Sequence, residues 1–122
     1  MENIEQWKEI PGLNGDYEIS NYGRVKSVSR KHLFGKYSRR SLSETIIKLQ
    51  MDSKGYYALF LPRRNYQKRI HRLVAELFNP NSYHYDTIHH KDGNKLNNHY
   101  LNLEWTTRGQ NIKYHRQKSS IF

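Results

Sequence analysis

Cysteine is absent from this 122-residue chain. Its absence excludes a disulfide framework, a zinc knuckle and thiol chemistry. Long apolar runs are missing too. No stretch approaches the roughly 18 residues of a membrane span, and Met1–Glu5 lacks the basic-then-apolar pattern of a signal peptide. The expectation is a soluble, cytoplasmic protein with no membrane partner. Apolar residues make up only 35% of the chain, so the core is thin, and the length suits one domain or one domain with a small annex. Acidic residues are also scarce: 11 Asp/Glu face 21 Lys/Arg, for a net charge of +10.

That excess has an address. Residues 1–29 hold three Lys/Arg against five Asp/Glu, residues 30–72 hold twelve against two, and residues 73–122 hold six against four. The middle stretch carries Arg39-Arg40, Arg63-Arg64 and Lys68-Arg69, with Tyr37, Tyr56, Tyr57 and Tyr66 among them. Cations neutralise phosphates and release counterions, and tyrosines stack on bases or hydrogen-bond to phosphate. A solvated face that keeps a thin-cored protein in solution is the bland alternative. Concentration of the charge in one stretch favours nucleic acid. Arg24 and Lys95 join these residues as candidate DNA contacts.

Turn and alternation signals divide the chain. Pro11-Gly12, Asn14-Gly15 and Asn21-Tyr22-Gly23 are turns around short extended pieces at Tyr17–Ile19 and Arg24–Val28. Segment 29–45 is polar and serine-rich and is expected to be a loop. Ile46–Met51 and Gly55–Leu61 read as strands joined by Asp52-Ser53-Lys54-Gly55, with a third possible over Gln67–Ile70. His71–Phe78 has a helical stripe of Leu73, Val74, Leu77 and Phe78, ended by Asn79-Pro80. Thr87–His90 is a short strand and Lys91–Asn94 a turn. Leu101–Trp105 alternates, with Leu101, Leu103 and Trp105 inward, and a last helix is expected from Thr106 or Thr107 to about Lys118.

The chemistry concentrates in His89-His90-Lys91-Asp92-Gly93-Asn94-Lys95-Leu96-Asn97-Asn98, followed by Leu101–Trp105 and by Asn111 entering the last helix. A histidine pair, a glycine turn and well-spaced asparagines are what a one-metal phosphodiesterase site needs. One imidazole can hold a cation while the other, left neutral, takes a proton from water near pH 7. The bland readings run alongside. Paired histidines in polar segments are commonly surface residues, Asn111 could be an ordinary first-turn residue, and Asp92 beside Gly93 is a turn residue. His115, one turn beyond Asn111, could touch metal, phosphate or solvent. His71, His84 and His99 read as packing or surface groups, and Trp7, Trp105, Leu73 and Phe78 as core.

The block His71–Phe78, His89–Asn98, Asn102–Thr107 and Asn111-Ile112 resembles the HNH endonucleases of phages and mobile introns. The front, Trp7–Gly12 through Ile19–Ser27, resembles the small nuclease-associated module that often precedes that core. The resemblance implies an α+β fold: a small β-rich DNA-binding module over residues 1–66, then a ββα-metal (HNH) nuclease core over 67–122. It implies His90 as general base, His89 and Asn111 as metal ligands, and Asn102 as the residue fixing the loop or ring that orients His90. The cofactor implied is one divalent metal ion, Mg or Mn, with Ni, Co or Zn in competition. Relatives often carry Asp or Asn where His89 stands, and imidazole is a softer ligand than carboxylate. The expected partner is double-stranded DNA, cut to 5′-phosphate and 3′-hydroxyl ends, nicked or cleaved on both strands by a monomer or homodimer. Homing relatives commonly continue into a helical tail, so a chain ending at Phe122 is expected to draw most of its footprint from the β-rich region. The alternative function is a catalytically degenerate DNA-binding protein.

Overall fold

A computed structural model describes the backbone of residues 4–29, 32–33, 36–37 and 43–109, with side chains for 4–28 and 44–109. The first sheet is antiparallel, in the order β1 (Trp7–Glu9), β2 (Tyr17–Ser20), β3 (Val25–Ser29), β6 (Ser43–Ile46). A small hairpin, β4 (His32–Leu33) with β5 (Lys36–Tyr37), lies between β3 and β6 in sequence. The second sheet runs β7 (Gln50–Met51), β8 (Tyr57–Leu61), β9 (Tyr66–Arg69), also antiparallel. Helix α1 (Ile70–Phe78) follows directly, and a final hairpin pairs β10 (Thr87–His90) with β11 (Leu103–Thr106). The fold is a strand-rich mixture of sheet and helix, as expected.

Helix α1 organises the interior. Ile70, Leu73, Val74 and Ala75 are all buried, and the helix packs against β2, β8, β9, β10 and β11. Each large aliphatic so buried contributes about 1.5–3 kcal/mol. One cluster joins Ile10, Leu13, Ile19, Val25 and Leu59 to the α1 residues and to Ile88 and Leu103. A single core therefore crosses residue 66. The helix stops at Asn79, whose backbone is extended ahead of Pro80. Asn79 Nδ2 donates to the carbonyls of Tyr100 and Leu103, and Trp105 Nε1 donates to the Asn79 carbonyl at 3.1 Å. The end of α1 is thereby tied to the last hairpin. Among the described residues no helix is long and apolar enough to cross a membrane.

Three expectations change. Segment 29–45 contains strands, because Ser43–Ile46 pairs with β3 from Lys26 to Ser29. The strand expected over Ile46–Met51 is divided, ending in one sheet at Ile46 and resuming in another at Gln50. Leu101 does not point inward. It sits in a 3₁₀ turn, Tyr100–Asn102, and is 49% exposed, while Leu103 is buried. His99 caps that turn by accepting from the Leu101 amide, which takes the backbone out of the strand alternation. The helix expected from Thr106 or Thr107 to about Lys118 falls almost wholly outside the described residues.

Candidate active site

His89 and His90 end β10, at the mouth of the hairpin. The register sets His89 opposite Glu104 and His90 opposite Leu103. Cross-strand partners share a face, so the adjacent histidines point to opposite sides of the ribbon. His90 looks towards the core, only 7% exposed, and His89 shares the other face with Glu104.

The His90 ring is held from two directions. Its Nε2 lies 2.9 Å from Asn98 Oδ1, a contact buried on both sides. Its plane meets the ring of His71 at a centroid distance of 5.1 Å, and His71 stacks in turn on Tyr56 at 4.9 Å. Burial lowers the His90 pKa, opposed by the Asn98 contact and by Asp92. The ring is therefore neutral near pH 7, the state a proton acceptor requires. His71 is pushed further, to about 3, first by burial and then by His90, Arg72 and Arg69. Its Nδ1 finds no hydrogen-bond partner among the described residues.

The loop between the strands is knotted around Asp92. Its carboxylate accepts from the Asn94 amide at 2.8 Å, from Asn97 Nδ2 at 2.8 Å and from Asn102 Nδ2 at 2.9 Å. Asn97 first, then the Asn94 amide, lowers the Asp92 pKa to about 2. Asn102 also donates to the Asn97 carbonyl, accepts from the Asp92 amide, and takes the Lys91 amide on its own carbonyl. Asn102 thus holds the loop, and its bonds run to Asp92, Asn97 and Lys91. Asn98 is the residue on the ring. Sequence reasoning misses it because Asn97-Asn98 looks like ordinary turn chemistry. The signal available is its place eight residues beyond His90, at the close of the loop.

A divalent cation is implied by the resemblance, and the donor chemistry suits one: imidazole nitrogen from His89 and carboxamide oxygen from Asn111. His89 is nearly buried and shares its face with a carboxylate, Glu104. Asn111 and His115 lie outside the described residues. Among the described residues no group of three or more His, Asp or Glu side chains gathers into a metal site.

The candidate DNA contacts divide sharply. Arg24 is paired with Glu5, Arg64 with Asp16 at 2.5 Å, Lys68 with Glu76 at 2.5 Å and Arg69 with Asp52 at 2.7 Å. Lys95 reaches the Lys54 carbonyl and lies 5.0 Å from the centre of the Tyr56 ring, which also carries Arg69 at 4.3 Å. Lys95 and Arg69 therefore meet at the aromatic stack that backs His90. The Arg63 side chain is exposed and has no partner among the described residues. Arg39 and Arg40 lie outside them.

The chain resembles known proteins in both its parts. Residues 5–61 match the NUMOD4 motif and residues 68–113 match the HNH endonuclease model. The chain is 39% identical over 113 residues to the protein described as "Uncharacterized HNH endonuclease L245" of Acanthamoeba polyphaga mimivirus, covering 91% of this chain and 30% of that one. It is 31% identical over 118 residues to the DNA endonuclease I-HmuI of Bacillus phage SP01, covering 95% of this chain and 60% of that one. The solved structure described as "DNA binding and cleavage by the HNH homing endonuclease I-HmuI" superposes with a TM-score of 0.67 at 31% identity, covering 93% of this chain and 59% of that one. The chain thus spans between under a third and three fifths of these relatives' lengths. With a NUMOD4 motif leading into an HNH region that carries the histidine pair, the chain belongs to the HNH endonuclease family.

Proposed function

We propose that the protein is a metal-dependent DNA endonuclease with His90 as general base. The observation that carries the reading is a buried imidazole at a strand end, one ring nitrogen engaged by Asn98 and the ring backed by His71. Such a ring is prepared to take a proton from water, and its burial keeps it unprotonated beforehand. Asn102 supports the base indirectly by tying the loop that leads from it to β11. His89 and Asn111 would hold the cation. Once bound, a divalent ion supplies Lewis-acid stabilisation of the scissile phosphate and the leaving oxygen. The products would be 5′-phosphate and 3′-hydroxyl ends.

Residues 1–66 would act mainly as the DNA-binding module and 67–122 as the nuclease core. Arg63, Arg39 and Arg40 would track the backbone, with Lys95 and Arg69 nearer the cut. The paired cations Arg24, Arg64 and Lys68 would contribute where their carboxylate partners leave donors to spare. The I-HmuI structure is one of DNA binding and cleavage, and a similar use of duplex DNA is proposed here. Incubation of supercoiled plasmid with Mg or Mn, with and without chelator, tests the reading. Relaxation or linearisation that stops with chelator supports it. Binding without cleavage under any divalent ion would make the protein a degenerate binder instead.

A further inference from the structure

The nitrogen of His90 that faces Asn98 is the key to its chemistry, because only the opposite nitrogen can serve as base. A carboxamide oxygen can only accept, so Asn98 Oδ1 at 2.9 Å calls for the tautomer with the proton on Nε2 and the lone pair on Nδ1. Asn98 is itself 5% exposed and is held from outside the nuclease region. Gly23, at φ +87°, lies so close that a Cβ there would stand 2.9 Å from Asn98 Cβ and 3.2 Å from its carbonyl oxygen. The Tyr100 amide donates to the Asn21 carbonyl at 2.8 Å, and Tyr22 stacks on His99 at 4.8 Å. Three consecutive residues of the amino-terminal turn therefore grip three consecutive residues, 98 to 100, of the loop behind His90. The turn is rigid in its own right: Ser20 Oγ accepts from the Tyr22 and Arg24 amides, and Asn21 Oδ1 accepts from the Gln6 amide at 2.7 Å.

We infer that Asn98 is the positioning residue of the His90 ring and that the Asn21–Gly23 turn sets Asn98. The amino-terminal module would then complete the active centre as well as grip DNA. This rests on the reading of His90 as base. Packing alone would explain a small residue at 23, but it would not require a hydrogen-bond acceptor at 98.

The test uses the full chain, ¹⁵N-labelled, with ring tautomers read from long-range proton–nitrogen correlations near neutral pH and cleavage measured in parallel. Wild type is expected to show His90 protonated at Nε2. Asn98→Leu, close in shape but without an acceptor, is expected to mix the tautomers and lower kcat about 10- to 100-fold with KM little changed. Asn98→Asp keeps an acceptor and is expected to retain the Nε2 proton, with the rate recovering as pH is raised because the carboxylate favours the charged ring. Gly23→Ala, far from the chemistry, is expected to disturb the His90 signal in the same direction as Asn98→Leu. A wild-type ring protonated at Nδ1 overturns the inference, as does full activity of Asn98→Leu. Should Asn98→Leu fail to fold, the wild-type tautomer and Asn98→Asp decide it. The spectrum is read whether or not DNA is cut, so failure of the endonuclease reading is distinguishable from failure of this one.

Discussion

The His71 imidazole lies 5.1 Å from that of His90, and burial keeps it uncharged down to about pH 3. Unfolded, the same side chain titrates near 6.5. Below that value the unfolded chain takes up a proton that the folded chain refuses, so stability is full above about pH 6.5 and falls as pH drops towards 3. Arg69, Arg72 and His90 all oppose a charge on this ring, while Asp52 alone favours it. Thermal unfolding across roughly pH 6.5 to 5 should show a loss of up to about 2 kcal/mol. His71→Phe should flatten that slope, leaving the part due to His90. Asp52 and Asp92, held near 2, act in the same direction but at lower pH. An unchanged slope in His71→Phe would mean that His71 takes up its proton alike in the folded and the unfolded protein.

Asn102 faces a carboxylate, with its Nδ2 2.9 Å from Asp92 Oδ1. Asn102→Ala removes the side chain's bonds to Asp92 and to the Asn97 carbonyl, whereas Asn102→Asp puts a second negative charge where its donor stood. Asn102→Asp should therefore cleave more slowly than Asn102→Ala, and both more slowly than wild type, with DNA affinity little altered. Single-turnover rates at saturating protein check the order. Equal rates for the two variants would remove the loop-tying role.

Arg63 and its neighbour Arg64 should behave differently. Arg64 donates to the Leu13 carbonyl and to Asp16, bridging β9's leading turn to the first module. Arg63 has no such partner among the described residues. Arg63→Ala should weaken binding on all sequences and flatten the log–log salt dependence by about 0.9, the share of one neutralised phosphate. Arg64→Ala should instead lower the melting temperature and change the slope less. Arg39→Ala with Arg40→Ala should flatten the slope by up to about twice as much as Arg63→Ala. Titrations at several salt concentrations, with melting curves beside them, separate the two kinds of effect.

These cations show what a sequence does and does not expose. Counting by segment makes residues 30–72 look largely unpaired, yet Arg64 meets Asp16 across 48 residues and Arg69 meets Asp52 across 17. Pairing over such distances depends on the fold. Local pattern serves well where the partner is local. The α1 stripe, the β10 strand, the Asp52–Gly55 turn and the Asp92-Gly93 turn are all where periodicity and turn chemistry put them. Ser43–Ile46 is not legible as a strand because Ser-Glu-Thr-Ile has no apolar alternation; its place depends on β3. Asn98 escapes notice for the same reason, since its importance comes from Gly23 and His90 rather than from its neighbours.

His89 offers a test of the proposed metal site. Imidazole is a borderline donor, and a carboxylate at that position would favour harder ions. His89→Ala should raise the metal concentration needed for half-maximal cleavage, and His89→Asp should shift preference towards Mg over Ni, Co or Zn. Titration of activity with each ion gives the comparison. An unchanged metal requirement in His89→Ala would place the cation on other residues.

The central claim is that His90 takes the proton from the attacking water. The direct measurement is single-turnover cleavage of duplex DNA by wild type and His90→Ala, at saturating protein and metal, with affinity and melting temperature recorded for both. The account predicts a rate lower by about 10² to 10⁴-fold with affinity nearly unchanged. A folded His90→Ala protein that keeps more than about a tenth of the wild-type rate would contradict it.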